Sequence, residues 1–283
     1  MEERILGKTG LSVGVLSFGG IVIRDTLQRE AAWIVSNAIE RGINYFDVAP
    51  SYGNAQQVLG SVIKTKRDKM FLASKTNKRT KDGALKDLYD SLKSLHTDYI
   101  DVYQLHAMTE DEVQKVFGPN GAMDALEMAR TKGLIRYIGF SSHYDDAAIK
   151  LMQEYDFDTM LFPVNWVSRL KNGVGKAALE EAAKRNMGCI AVKSLAESAK
   201  ENEFDGYPRC WYKPISNDME LANLALRFTL SQAVHTSLSP SDVRLLELSL
   251  SILEKYDGVP TPLSDMEFAF LKKRAQEVIL AVF

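Results

Sequence analysis

Cysteine is nearly absent from this chain: Cys189 and Cys210 are the two in 283 residues, 21 positions apart and with no CxxC pair. That spacing excludes a disulfide framework or a structural zinc site, and both are read as free thiols. An excess of either charge is also missing. With 35 basic against 37 acidic residues, a formal net charge of -2 leaves no electrostatic footprint for nucleic acid or an anionic membrane. No uninterrupted apolar run approaches the roughly 18 residues of a membrane span. The first residues, Met1-Glu-Glu-Arg-Ile-Leu6, lack the basic-then-apolar order of a secretory signal. Neither a nucleic-acid nor a membrane partner is expected, and the expected location is cytoplasmic. A Gly-x-Gly-x-x-Gly fingerprint is missing as well. Phe18-Gly-Gly20 is all that follows the first apolar strand, which removes the support for a Rossmann dinucleotide domain.

What is present is the balance of a folded protein, 46% hydrophobic and 25% charged residues, with helix-period segments alternating with short apolar ones. Ala31, Ile34, Val35, Ala38 and Ile39 make one apolar helical stripe, and Gly42 follows where a helix ends in left-handed backbone. Residues 43–47 then read as a strand. The alternation continues through a helix at 58–63, a strand at 70–75, a helix at 85–95 and a strand at 99–106. Further strands are read at 134–139, 160–164, 189–193 and 233–238, and 15–18 supplies the first. Eight strands alternating with helices, with no Pro/Gly-rich linker, predict an α/β chain whose residues 1–283 form a single (β/α)8 TIM barrel domain. Residues 4–14, centred on Gly7-Lys-Thr-Gly10, read as a short N-terminal β-hairpin capping the barrel floor. Residues 265–283 read as a C-terminal amphipathic helix packed on the body.

Active sites of such barrels lie at the C-terminal strand ends, so polar residues that close apolar strands are the place to look. Strand two ends at Asp47, strand three at Lys75 and strand four at His106, and Tyr52 lies in the loop just past Asp47. An acid, an ammonium, an imidazole and a phenol therefore share one rim. The ordinary phenol pKa of about 10 is high for proton donation and recovery near neutrality, and a neighbouring ammonium lowers it. Lys75 is expected to supply that charge and Asp47 to hold Lys75. His106 would hydrogen-bond a substrate oxygen, and Tyr52 would act as general acid toward an alkoxide formed by hydride attack. Taken singly, each residue has a plainer explanation: Asp47 as a helix cap, Lys75 as a solvated rim charge, Tyr52 as packing, His106 as a satisfied polar group. Jointly, those explanations require four coincidences on one rim. A barrel aldolase or isomerase would use Lys75 as a Schiff-base nucleophile, which leaves the other three without a joint role.

The same stretches make the chain resemble the aldo-keto reductase family from about residue 3 to about residue 255. The resemblance rests on Leu6-Gly-Lys-Thr-Gly-Leu11, on Gly42-Ile-Asn-Tyr-Phe-Asp-Val-Ala49 with Tyr52-Gly53, and on Ala73-Ser-Lys75. Thr97-Asp-Tyr-Ile-Asp-Val-Tyr-Gln-Leu-His106 and Ile138-Gly-Phe-Ser141 complete it. It implies NADP(H)-dependent reduction of an aldehyde or ketone, or the reverse alcohol oxidation, with NAD(H) as the alternative cofactor. The family's catalytic Asp, Tyr, Lys and His fall on Asp47, Tyr52, Lys75 and His106.

The resemblance also implies a set of cofactor contacts. The Ser-Asn pair that holds the nicotinamide after strand five is Ser141-Ser142 here, and Pro163 takes the usual Gln position with Asn165 two residues on. Lys193, followed by Ser194 and Leu195, stands where an aromatic residue often stacks on the ring. A lysine there, together with Gly139-Phe-Ser-Ser-His143, matches one branch of the family. Gly20 and Ile21 in the first loop, and Ser239 and Arg244 after strand eight, complete the expected contacts. Arg244 would face the 2'-phosphate and the helix starting near Ser241 would add its amides, although Leu238 replaces a frequent Lys. The partner so implied is a small-molecule carbonyl compound. Its walls would be loops carrying Ile21, Trp166 and the long segment 196–217, which includes Tyr207, Trp211 and Tyr212. A second reading stays open, a cofactor-binding regulatory or redox-sensing protein with little turnover. His96 and His235 are read as structural, and the sequence sets no oligomeric state.

Overall fold

The computed structural model describes residues 1–200, 206–280 and 282. The chain opens with β1 (Glu3–Ile5) and β2 (Ser12–Gly14), paired antiparallel with Glu3 opposite Gly14 and Ile5 opposite Ser12. A 3-10 turn at Gly7–Thr9 joins them, and Gly10 closes it at φ 71°, a left-handed position that glycine adopts without strain. The hairpin seals the barrel floor, as the sequence indicated. Leu6 and Val13 share one apolar cluster with Tyr45, Ala73 and Val102 from the barrel interior, and the Lys8 amide donates to the Asn186 carbonyl at 2.7 Å.

The barrel wall is β3 (Leu16–Gly19), β4 (Tyr45–Asp47), β5 (Phe71–Thr76), β6 (Ile100–Met108), β7 (Ile135–Ser142), β8 (Thr159–Pro163) and β9 (Gly188–Val192). A small antiparallel hairpin, β10 (Ala196–Ala199) and β11 (Tyr212–Pro214), precedes the last wall strand, β12 (Thr236–Leu238). The eight wall strands close in the order β12-β3-β4-β5-β6-β7-β8-β9, every neighbouring pair parallel. This is the (β/α)8 barrel that the alternation predicts.

Around it run α1 (Gln28–Glu40), α2 (Ala55–Ile63), α3 (Lys81–Leu95), α4 (Val113–Phe117), α5 (Ala122–Thr131) and α6 (Asp145–Glu154). They are followed by α7 (Trp166–Asn172), α8 (Lys176–Lys184), α9 (Met219–Leu230), α10 (Val243–Glu254) and α11 (Asp265–Glu277). In α1, Ala31, Ile34, Val35 and Ala38 are buried, one stripe at helical spacing, and Gly42 at φ 91° turns the chain toward β4. Each large aliphatic side chain so buried contributes about 1.5–3 kcal/mol. Asp218 and Asp242 cap α9 and α10, accepting from the amides of Leu221 and Arg244.

Two elements differ from the sequence reading. The segment 196–217 is not wholly loop, since its ends form β10 and β11; residues 201–205 lie outside the described residues. Strands of four and three residues are too short to carry a legible period of two. The C-terminal helix starts at a capping box made by Ser264 and Glu267, but it stops at Glu277 and does not continue toward 283. Beyond it the carbonyls find partners outside a helix: Val278 O accepts from Lys171 Nζ at 2.5 Å and Leu280 O from the Ala199 amide at 3.0 Å. Residues 281 and 283 of the expected helix lie outside the described residues. Among the described residues no helix is long and apolar enough to cross a membrane.

Candidate active site

Parallel pairing in the wall sets the geometry of the rim. β4 lies beside β5 with Asp47 opposite Ala73, and β5 lies beside β6 with Lys75 opposite Gln104. Asp47 and Lys75 are each 1% exposed, and Lys75 Nζ donates to both carboxylate oxygens. Gln104 Nε2 adds a 3.5 Å contact to Asp47 Oδ2. Burial opposes both charges. It holds the Lys75 ammonium below the usual lysine range and pushes the Asp47 carboxyl above its usual range, while each partner pulls the other back toward its charged form.

Tyr52 sits in the turn between β4 and α2, and that turn is fastened to the first barrel loop. Gly53 has φ 56°, and a Cβ there would meet Asp25 Oδ1 at 2.7 Å; the Asp25 amide donates to Asn54 Oδ1, also at 2.7 Å. The Tyr52 ring meets the His106 imidazole edge-on, centroids 6.0 Å apart at 78°, and Lys75 Nζ lies 6.0 Å from the Tyr52 ring centre. The sequence reading expected Lys75 to lower the phenol pKa. The structure reverses that direction: burial, then the Asp47 charge, push Tyr52 above the ordinary phenol value. The ammonium is committed to Asp47, and the carboxylate it holds is the charge that acts on the phenol.

His106 is aimed by a bulge in β6. Register with β7 shifts between Leu105 and Met108, and Ala107 takes φ 50°, an uncommon conformation for alanine. The Ala107 amide donates to Ser141 Oγ and Arg79 Nη2 donates to the His106 carbonyl, both at 2.7 Å. Burial, aided by the charges of Lys75, Arg79 and His143, holds the imidazole down to about 3, so it is neutral throughout the physiological range. Its buried Nδ1 has no hydrogen-bond partner among the described residues.

These four side chains line one cleft of about 480 Å³, together with Gly20, Ile21, Ser141, Ser142, Lys193 and Ser239 from the expected cofactor set. Trp211 and Tyr212, on the second hairpin, form an aromatic wall. Ser51, Leu161 and Val192 also line the cleft and escaped the sequence reading. Leu161 and Val192 lie in strands that are otherwise core, where nothing in the local pattern separates a cleft-facing residue from a packed one.

Four expected cofactor contacts, Asn165, Ser194, Leu195 and Arg244, are not among the residues lining the cleft. Asn165 is 1% exposed, caps α7 by accepting from the Val167 and Ser168 amides, and donates to the carbonyls of Lys193 and Ala196. Its amide is thereby spent on structure. Leu195 is fully buried, and its carbonyl accepts from the Ile215 amide across the second hairpin. Arg244 pairs with Asp242 at 2.8 and 2.9 Å, donates to Gly206 O at 2.6 Å and stacks on Tyr207 at 4.1 Å. Trp166, expected at the substrate wall, is 1% exposed, with its indole N–H on the Ala196 carbonyl at 3.0 Å. Gly20 answers to packing, since a Cβ there would meet Val48 Cγ1 at 2.4 Å and Asp47 O at 2.8 Å. His235 Nδ1 accepts from the Cys189 amide at 3.0 Å, a structural use.

The donor set suits a dinucleotide. Serine hydroxyls at 141, 142, 239 and 241 follow the rim, and α10, twelve residues long, begins beside Ser241 with Asp242 as its cap. Ser194 Oγ, next to the cleft residue Lys193, is buried and has no hydrogen-bond partner among the described residues.

The fold has counterparts among known proteins. An uncharacterized oxidoreductase of Bacillus subtilis is 26% identical over 89% of this chain and 90% of its own length. The holo form of an aldo-keto reductase from Bacillus halodurans superposes with TM-score 0.76, covering 100% of this chain and 97% of that one at 23% identity. An aldo/keto reductase from Klebsiella pneumoniae, solved in complex with NADP and acetate, gives TM-score 0.74 at 20% identity, covering 96% of this chain and 94% of that one. The model of the aldo/keto reductase family matches residues 11–210, most of the barrel and every one of the four rim residues. The chain belongs to the aldo/keto reductase family.

Proposed function

We propose that the protein reduces an aldehyde or ketone with NADPH, with Tyr52 as the proton donor. The observation that carries this reading is the meeting of Tyr52, His106 and the buried Lys75–Asp47 pair in one cleft. A bound nicotinamide would supply the hydride. Its carboxamide and phosphates would be held by the hydroxyls of Ser141, Ser142 and Ser239. The NADP in the Klebsiella pneumoniae structure supports that choice of cofactor. His106, kept neutral, has one ring N–H to offer a carbonyl oxygen and so fixes the orientation of that group. Tyr52, kept protonated, gives its hydroxyl proton to the oxygen as negative charge develops there. Lys75 and Asp47 hold the floor beneath the phenol as one neutral unit, which lets the buried site carry both charges. Trp211 and Tyr212 suit an apolar body on the substrate and help to exclude water.

Loss of NADPH absorbance across a panel of aldehydes, ketones and diketones tests the proposal. Turnover of at least one class is expected. Tight NADPH binding with no turnover of any carbonyl would favour a cofactor sensor, and borohydride trapping of a substrate on Lys75 would favour an aldolase.

A further inference from the structure

A histidine that works on a substrate is commonly aimed by a hydrogen bond on its other ring nitrogen. The buried Nδ1 of His106 has no such partner among the described residues, so the aim of this ring has to come from its backbone. The peptide group that joins His106 to Ala107 is gripped at both ends by side chains of neighbouring segments. Its oxygen accepts from Arg79 Nη2, in the turn between β5 and α3, and its N–H donates to Ser141 Oγ in β7, each at 2.7 Å. The β6–β7 register shifts between Leu105 and Met108, so this peptide group lies where regular ladder pairing is interrupted. Ala107 holds φ 50° directly after it, a conformation that a non-glycine residue keeps only where its surroundings over-determine it.

Arg79 is the charged half of that grip, and it is itself anchored. The same Nη2 donates to Glu112 Oε2 at 2.9 Å, and the Glu112 carboxylate accepts from the Thr109 amide at 3.2 Å in a capping box. One guanidinium nitrogen thus ties the chain on both sides of the bulge, at His106 before it and at Thr109–Glu112 after it. The main chain of Arg79 is held in turn, its carbonyl accepting from the Ala122 amide at 3.0 Å. Side-chain exposures of 16% for Arg79 and 24% for Glu112 leave the pair largely shielded from water. Arg79 is not among the residues lining the cleft, so whatever it does for the chemistry it does through His106.

We propose that Arg79 is a positioning residue: by clamping the His106–Ala107 peptide group against Glu112, it sets the aim of the His106 imidazole and so decides which face of a carbonyl carbon is open to hydride. The inference rests on the carbonyl-reductase reading above. Without the guanidinium the peptide group keeps the Ser141 anchor and gains freedom to turn about it. The ring, with no anchor on Nδ1, turns with its backbone. A carbonyl oxygen bonded to a ring of variable aim presents both faces of its carbon.

Benzaldehyde reduced with NADPH deuterated at the transferred position gives a monodeuterated benzyl alcohol whose enantiomer ratio reads the attacked face. Wild type is expected to give one enantiomer in large excess. Arg79→Met should erode that excess and lower kcat by up to about 100-fold, the cost of a misplacement of about 1 Å, with the NADPH Kd nearly unchanged. Arg79→Lys, whose ammonium can donate to both oxygens, should recover part of each loss. In the His106→Ala background Arg79→Met should change the ratio no further, as expected if it acts through that ring. The His106 ring signals give a readout that needs neither cofactor nor substrate: sharp in wild type, broadened by exchange in Arg79→Met. Should a thermal melt show that Arg79→Met does not fold, Glu112→Gln takes its place; it loosens the guanidinium and should give a smaller change in the same sense. An unchanged ratio with sharp ring signals in the folded variant overturns the proposal, and so does racemic alcohol from wild type. An equal further loss in the His106→Ala background overturns it as well, since Arg79 would then serve the fold alone. If wild type reduces no carbonyl at all, the reductase reading fails and takes the carbonyl role of Arg79 with it; sharp ring signals with turnover intact sink the clamp by itself.

Discussion

Replacing Asp47 by alanine removes one half of a buried ion pair and leaves the other half in place. Lys75 and Asp47 are each 1% exposed, so solvent does little to screen the loss. Breaking such a pair from one side costs about 3–5 kcal/mol, because an uncompensated charge remains in the barrel. At roughly 2–4 °C per kcal/mol for a chain of this size, Tm should fall by roughly 6–20 °C. The loss depends on pH, and its sign follows from the structure. Burial already lowers the Lys75 pKa and Asp47 opposes that shift, so removing Asp47 lowers it further. The folded variant then binds fewer protons than the unfolded chain, in which Lys75 titrates near its ordinary value of about 10.4. Its stability must therefore rise as pH increases toward that value. Lys75→Met in the Asp47→Ala background removes the stranded charge and should recover most of the loss. Thermal melts by circular dichroism, with scan rate varied to control for irreversibility, measure the wild type and both variants. A melt of Asp47→Ala within about 1 °C of wild type, the effect expected of a weak surface pair, would refute the reasoning.

Three further outcomes follow from the site. His106 is held down to about 3, so its ring signals in an NMR titration should stay flat from about pH 5 to 8, the range in which an unperturbed histidine titrates; a transition there contradicts the neutral assignment. Arg244 is paired with Asp242, a carboxylate that would repel a 2'-phosphate; Arg244→Ala should weaken NADPH more than NADH, and Asp242→Asn should shift the Kd ratio toward NADPH. Equal effects on both cofactors would remove Arg244 from phosphate recognition. Asn165→Ala should destabilise the fold by about 2–4 kcal/mol, since buried partners at Val167, Ser168, Lys193 and Ala196 lose their hydrogen bonds, and denaturant titration should show it even without cofactor.

Much of this site was legible because barrel chemistry sits at strand ends, where an apolar run closing in Asp47, Lys75 or His106 stands out. The eight strands were legible for the same reason, each being a short apolar run between helical stripes. Three kinds of information were not. Asn165 looks like a cleft amide from its position after β8, but a residue opening a helix has two orphan amides to satisfy, and that local demand takes its side chain. Arg244 reads as a phosphate ligand from its position, but spacing does not show that Asp242, two residues away, shares the same guanidinium. The direction of the Tyr52 shift depends on where the carboxylate partner of Lys75 lies and on how deeply all three are buried, neither of which is written in spacing.

The central claim is hydride delivery to a carbonyl with the proton taken from Tyr52. Its most direct test is one comparison, the reduction of an aldehyde with NADPH deuterated at the transferred position, by wild-type protein and by Tyr52→Phe. Wild type should place one deuterium on the former carbonyl carbon, detected by mass spectrometry of the alcohol. Tyr52→Phe should bind the cofactor with nearly unchanged affinity yet form product ~10²–10⁴-fold more slowly, the range for a lost general acid. Because Tyr52 is held above its ordinary pKa, the wild-type rate should not decline through loss of that proton between pH 7 and about 10. Deuterated alcohol formed at near wild-type rate by Tyr52→Phe would contradict the account.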